Sequence, residues 1–252
     1  MKTPELLEHA RCFLKDSIRR EIDFAATDQN RQVPPPPIQK PCPPHARRFV
    51  LPDRGAWKGI GAIDLADAIS RRQSRRRYRP ESLNLDELSF LLWATQGIRK
   101  IVNPAVALRT VPSAGARHAF ETYLCVINVE DLERGIYRYL SVEHELVHVV
   151  EVADLESRII EATLGQTFTG RAAVVFAWTA IPYRMEWRYG LAAHKVIAVD
   201  AGHVCQNLYL ACEAIGAGTC AIGAYDQDAM DKLLGVDGRD EFTVYLAPAG
   251  KV

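Results

Sequence analysis

SRRQSRRRYRP, Ser70 to Pro80, sets six arginines around Gln73, Ser74 and Tyr78. So dense a positive run has three readings: a solvated basic face, a contact with nucleic acid, or a clamp on one anion held by the protein itself. In extended backbone alternate side chains share a face. That places Arg72, Ser74 and Arg76 on one side and Gln73, Arg75 and Arg77 on the other. Two guanidinium forks flanking a hydroxyl supply the convergent donors a phosphate requires. Charge alone favours the solvated face, so the surrounding chain has to decide.

Working outward, the 31 acidic and 31 basic residues cancel. A chain so balanced is not built as a whole to lie on nucleic acid or on an anionic membrane. No stretch is long and apolar enough to cross a bilayer. The N-terminal MKTPELLEHARCFLKDSIRRE reads as an amphipathic helix interrupted by charge, not as a signal peptide. The six cysteines (Cys12, Cys42, Cys125, Cys205, Cys212 and Cys220) form no CxxC pair, and several sit among apolar residues. Free thiols in a reducing cytoplasm are expected, with neither a metal site nor a disulfide framework.

The prolines of QVPPPPIQKPCPP, residues 32–44, break the composition. Proline fixes φ and removes a backbone donor, so this segment is either an extended strap or a disordered linker. The expected division is therefore an N-terminal helix and strap over 1–44, followed by the main domain over 45–252. Downstream, AIDLADAISRR (62–72) carries apolar residues at helical spacing and runs into the arginines. In NLDELSFLLWATQG, Asn84 and Glu87 have capping-box spacing, Leu88, Leu91 and Leu92 form the apolar face, and Gly97 is the stop. ETYLCVINV (121–129) and RAAVVFAWTA (171–180) read as buried strands, and GIYRYL with HELVHVVE as a strand pair. Helices are expected at ADLESRIIEATLG, from about Leu191 to Ile215, and at DQDAMDKLLG, with strands near Ala221 and at EFTVYLAP. Helices and strands mix without regular βαβ alternation, which argues α+β and a mainly antiparallel sheet flanked by helices.

No GxGxxG follows a strand and no GxxxxGK[ST], GxSxG or HExxH occurs, so dinucleotide, P-loop, serine-hydrolase and zinc-protease chemistry lack their motifs. The motifs present, taken in order, point elsewhere. RRQSRRRY, LSFLLWATQGIR, VPSAGARHAFETYL, GIYRY, VDAGHVCQNLYLACEAIGAG and VYLAPAGK resemble FMN-dependent nitroreductases, and among them the SagB-type dehydrogenase branch that includes azoline oxidases. The resemblance covers residues 45–252.

It implies a nitroreductase-like α+β fold, FMN at a homodimer interface, and two-electron hydride transfer through flavin N5 with NAD(P)H or an organic substrate as donor. It implies that Arg72, Gln73, Ser74 and Arg76 hold the FMN phosphate and ribityl chain. Pro112, Ser113, Ala114 and Gly115 match the loop that approaches the isoalloxazine ring, usually from the partner subunit. Ile222, Gly223 and Ala224, followed by Tyr225, match the segment along the reactive edge, with Gly223 and Ala224 as candidates for the N–H near N5. Lys251 falls where the family places a basic residue near the phosphate. Arg117 either reaches the flavin or a substrate or is a surface arginine. Azoline oxidases carry a Lys-Tyr pair ahead of the long helix, where this chain has Arg188 and Tyr189. Tyr189 can still exchange a proton, whereas a guanidinium cannot act as a neutral base. Arg188 therefore holds an anionic substrate group or forms a surface ion pair. Within the long helix, His203 and Asn207 stand i, i+4. They read as a mutually hydrogen-bonded brace or as flavin or interface contacts. A small-molecule substrate and a homodimer are expected, without nucleic acid, membrane or metal.

Overall fold

The computed structural model describes residues 3–252. Its centre is a sheet of seven strands. Along the chain these are β1 (Arg48–Val50), β4 (Phe120–Val126), β5 (Gly135–Leu140), β6 (Glu145–Val150), β7 (Val174–Ala180), β8 (Ala217–Thr219) and β9 (Phe242–Lys251). The spatial order is β1-β6-β5-β4-β7-β9-β8, and every pairing is antiparallel. A separate hairpin joins β2 (Ile98–Asn103) to β3 (Val106–Arg109).

The middle strands are buried on both faces, and their period of two divides the core in half. On β4, Phe120, Leu124 and Val126 pack toward one side, with Phe176 and Trp178 of β7. Tyr123 and Cys125, with Val175 and Ala177, pack toward the other. The first side is covered by α3 (Leu85–Gln96) and α6 (Ala193–Ala214), the second by α4 (Leu155–Ala162) and α7 (Gln227–Leu234). Burying a large apolar side chain contributes about 1.5–3 kcal/mol, so this double-sided packing sets the layer order. The expected α+β architecture, with a mainly antiparallel sheet between helices, is the one observed.

α3 forms where its caps dictate. Asn84 Oδ1 accepts the Glu87 N–H and Glu87 Oε2 accepts the Asn84 N–H, satisfying two orphan donors. Gly97 closes the helix because a Cβ there would lie 2.5 Å from Trp93 Cδ1. α6 runs for 22 residues, about 33 Å at helical rise, and Asn207 Nδ2 ties it to the Ala94 carbonyl of α3 at 2.8 Å. α2 (Leu65–Arg71) leads into the arginine stretch. α1 (Thr3–Leu14) buries no residue, and the part of the expected N-terminal helix at residues 1–2 lies outside the described residues. A 3-10 turn, Ser17–Glu21, replaces the last turn of that helix. α5 (Tyr183–Tyr189) and the β2–β3 hairpin have no counterpart in the sequence expectations. The strand expected near Ala221 is β8, two residues earlier at its nearer end, after Gly216 turns with φ +63°.

Between Val33 and Pro41 the chain has no regular secondary structure, yet buried donors hold its carbonyls. Trp187 Nε1 donates to Val33 O, Arg109 Nη2 to Ile38 O, Arg138 Nη1 to Lys40 O and Arg138 Nη2 to Pro41 O. Glu121 accepts from the Lys40 N–H and pairs with both Arg138 and Arg184. Proline offers no N–H, which suits a segment recognised through its acceptors.

Candidate functional site

The arginine stretch leaves α2 and joins the sheet edge. Ser74 bridges Thr219 of β8 in parallel, and the Arg75 N–H donates to Thr219 O at 2.9 Å. Tyr78 Oη donates to the carbonyls of Arg75 and Pro248, and the Arg79 N–H to Lys251 O. The backbone of the stretch is thus pinned along the ends of β8 and β9. Burial drives the Tyr78 phenol pKa upward, keeping it a neutral donor.

The side chains then separate. Arg71 pairs with Asp67 and Arg79 with Glu81. Among the described residues, Arg72, Arg75, Arg76 and Arg77 have no carboxylate partner. The Arg72 guanidinium lies 5.3 Å from the centre of the Tyr209 ring, and that of Arg76 lies 5.9 Å from Phe168. Ser74 Oγ lies 2.9 Å from Tyr209 Oη. Arg75 points elsewhere, its stem against Gly218 and Val252 and its Nε buried without a partner. The pairing with β8 draws its stem into the sheet edge.

Tyr209 of α6, which reads from sequence as plain core, joins two expected segments. Its hydroxyl faces Ser74 and accepts the Ala221 N–H at 2.8 Å. Beyond Ala221, the N–H and carbonyl of Ile222 both pair with Leu246, fixing the segment to β9. Gly223 and Ala224 follow in the open, and no group among the described residues accepts their N–H donors. A Cβ at Gly223 would meet nothing within 4 Å. Tyr225 Oη donates to the Thr243 carbonyl. Tyr209 thus ties the Arg72–Arg76 stretch, through Ser74, to the segment that runs from Ala221 into the open 223–224 backbone. Uncompensated guanidinium groups and free backbone donors suit a phosphorylated ligand, so these residues fit FMN.

A second group forms at the other end of α6. The 3-10 turn Ala114–Ala116 shapes the Pro112–Gly115 loop, and Gly115 has φ +58°. That left-handed backbone favours glycine. Space makes the same demand, since a Cβ would lie 2.6 Å from Tyr189 Oη and 3.1 Å from Arg188 Nε. Gly115 of the loop and the Arg188–Tyr189 pair, whose first member is 73 positions further along the chain, are therefore in contact. Buried Asp200 of α6 faces the loop, with Ser113 and Ala114 near enough to pull its pKa down, while its Oδ2 has no hydrogen-bond partner among the described residues. Burial raises the Asp200 pKa, and these two residues, with His203, oppose the rise. No sequence motif pointed to Asp200.

Several expectations need correction. The Lys251 ammonium bonds Glu87 and the Ile215 carbonyl, so it is spent on α3 and the end of α6 rather than free for an anion. His203 and Asn207 do not pair. Asn207 reaches Ala94, and exposed His203 stands 3.8 Å from Asp200, because α3 crosses α6 at Asn207 and takes its amide. Arg117 is neither a surface residue nor open to a ligand. It is buried, stacks 4.8 Å from the centre of the Trp187 ring and donates to the carbonyls of Arg184 and Ala105. Its pKa is lowered by burial first, then by Arg188 and Arg184. His118, beside the loop, is held to about 3 by burial and by Arg109, and so is a neutral imidazole. No cluster of metal-ligating side chains occurs among the described residues.

With this geometry in view, comparison with known proteins is decisive. The profile of the Nitroreductase family matches residues 69–251. The chain belongs to the nitroreductase family. A Methanocaldococcus jannaschii protein named as a nitroreductase is 32% identical over 192 residues, covering 76% of this chain and 93% of that one. Trifolitoxin-processing protein TfxB of Rhizobium leguminosarum bv. trifolii is 25% identical over 167 residues, 63% of this chain but 44% of that longer one. This relative accords with the SagB-type branch. A crystal structure of a nitroreductase-type protein from Anabaena variabilis superposes with a TM-score of 0.66 at 26% identity, over 82% of this chain and 42% of that one. An Escherichia coli microcin synthetase complex with truncated pro-peptide bound shares the fold alone, at TM-score 0.60 and 18% identity over 77% of this chain and 76% of that one. Nitroreductase family membership makes the chain an oxidoreductase.

Proposed function

We propose that this nitroreductase-family oxidoreductase depends on FMN and acts as a homodimer, with NAD(P)H or an organic substrate as electron donor. The observation that carries the proposal is the division of the site residues into two incomplete groups on one chain. Asp200, which faces the 112–115 loop, and Tyr209, which anchors Ser74, are nine residues apart on α6, about 13 Å along the axis. Two copies placed so that the loop of one meets the arginine group of the other complete the site. An apolar groove of about 710 Å³ between α2, α3 and α6, lined by Leu65, Phe90, Trp93 and Leu210, supports association.

Arg72, Gln73, Ser74 and Arg76 hold the phosphate and ribityl end. Tyr209 fixes Ser74 beside Ala221. The open Gly223 and Ala224 donors would hold the flavin ring by hydrogen bonds, and Pro112–Gly115 of the second copy would complete its pocket. When bound, FMN supplies reversible two-electron chemistry. Tyr189, wedged against Gly115, is placed to give or take a proton. Arg188 beside it carries fixed positive charge.

The test is absorbance of the purified protein after incubation with FMN and gel filtration. Retained flavin bands and a dimer-sized elution are expected, and a colourless protein refutes the reading. A second reading, a peptide azoline dehydrogenase, is favoured by the trifolitoxin-processing relative. It requires azoline oxidation on a precursor peptide with partner proteins present. Arg188 in place of a lysine base argues against it.

A further inference from the structure

The surroundings of the 112–115 loop hold more positive charge than they neutralise. Arg99, Arg109, Arg117 and Arg188 gather around it, and among the described residues none of the four forms an ion pair. The carboxylates nearest in sequence or structure are already engaged. Glu121 bridges Arg138 and Arg184, and Glu186 pairs with His194. Asp200 is directed at Ser113 and Ala114. Glu186 and Arg188 are two residues apart on α5, so their side chains leave on different faces.

Three of the four arginines are occupied by the fold. Arg117 is buried under Trp187, buried Arg109 donates to Gln96 and the Ile38 carbonyl, and Arg99 donates to the Arg109 carbonyl. Arg188 is different. It is half-exposed, makes no hydrogen bond among the described residues, and rests 5.5 Å from the centre of its neighbour Tyr189's ring. Its Nε is the atom a Cβ at Gly115 would approach to 3.1 Å, so its fork stands at the rim of the loop. Arg188 and buried Arg117 behind it repel one another, and an anion at Arg188 relieves that repulsion. FMN's own anionic group is assigned to the opposite half-site, leaving this fork for the other reactant.

We infer that the compound turned over beside this loop carries a carboxylate, which Arg188 receives through its planar fork with Tyr189 alongside. The inference rests on the flavin reading for the word "turned over", but carboxylate binding is measurable without turnover. The probes are benzoate and its neutral isostere benzamide, titrated by isothermal calorimetry into the FMN-treated protein. Wild type is expected to bind benzoate about tenfold or more tighter than benzamide. Arg188→Gln should abolish the preference and Arg188→Lys should keep part of it, with circular dichroism confirming the fold of each. Equal affinities in wild type, or an unchanged preference in Arg188→Gln, overturn the inference. Flavin absorbance recorded on the same samples separates the two ideas. A colourless wild type that still prefers benzoate through Arg188 refutes the flavin reading but leaves the carboxylate site standing. A yellow protein without the preference does the reverse.

Discussion

Replacing Tyr209 with phenylalanine removes one oxygen and leaves the ring under Arg72 in place. That oxygen has two partners, the Ser74 hydroxyl at 2.9 Å and the Ala221 N–H at 2.8 Å. The Ser74 contact is at the surface, and losing it should cost about 0.5 kcal/mol. The Ala221 amide is half-buried and loses its acceptor, which should cost about 1.5 kcal/mol. Tyr209→Phe should therefore lower unfolding stability by about 2 kcal/mol, read as a lower urea midpoint at unchanged slope. FMN retention should fall severalfold, since Ser74 and the 221–224 backbone lose their common anchor. Tyr209→Leu, which also removes the ring beneath Arg72, should lose flavin further. A double-mutant cycle with Ser74→Ala isolates the hydroxyl pair and should show coupling in flavin affinity. The reasoning fails if Tyr209→Phe unfolds within about 0.5 kcal/mol of wild type and its effect on FMN is additive with Ser74→Ala.

Three further outcomes are expected. Arg72→Ala and Arg76→Ala should each reduce FMN retention by about tenfold or more, measured by flavin absorbance after dialysis. Arg75→Ala should instead lower the thermal midpoint, because its stem packs on Gly218 and Val252. Glu121→Leu strands Arg138 and Arg184 as buried charges and should cost about 3–5 kcal/mol in urea unfolding. Although burial alone would raise the Glu121 pKa, Arg184 and Arg138 outweigh it and the net shift is downward. Its stabilisation is thus complete above the ordinary carboxylate range and is lost as pH falls through the depressed value, so wild type should unfold in acid more steeply than the variant. Ellman's reagent should modify exposed Cys12 first and Cys42 more slowly. Cys125, Cys205, Cys212 and Cys220 are buried, with burial pushing Cys125 and Cys205 up to about 12, and should react only on unfolding.

Where local signals and tertiary demands agree, the sequence is legible. Asn84, Glu87 and Gly97 mark α3 because caps act within one turn, and β4 and β7 show as mainly apolar runs because both faces are covered. The β2–β3 hairpin is hidden because its outer strand is exposed, leaving IRKIVN without a buried face. α5, YRMEWRY, is short and charged, and its form comes from Arg184 on Glu121 and Trp187 under Arg117. The candidate site residues that the sequence singles out are small or charged side chains in ordered motifs. Tyr209 is not among them, since an aromatic on an amphipathic helix reads as core until its hydroxyl is seen between Ser74 and Ala221. Lys251 was misplaced for the converse reason. Its partner Glu87 is 164 residues away and already engaged in a cap, and no local pattern reports that second contact.

The strap over residues 33–41 is gripped at four main-chain oxygens, through Trp187, Arg109 and Arg138, and near its end also by the side chains of Gln39 and Lys40, which reach Glu143, Tyr123 and Glu241. The carbonyl grip on either side of Pro34 to Pro37 is indifferent to their side chains but sensitive to spacing, since each carbonyl must meet its own donor. Point changes among Pro34 to Pro37 should be absorbed as long as the backbone stays extended. Deleting or inserting one residue there would shift every later acceptor by one position and leave buried guanidinium donors unanswered. Over evolutionary time Pro34 to Pro37 are free to drift in composition, but not in number.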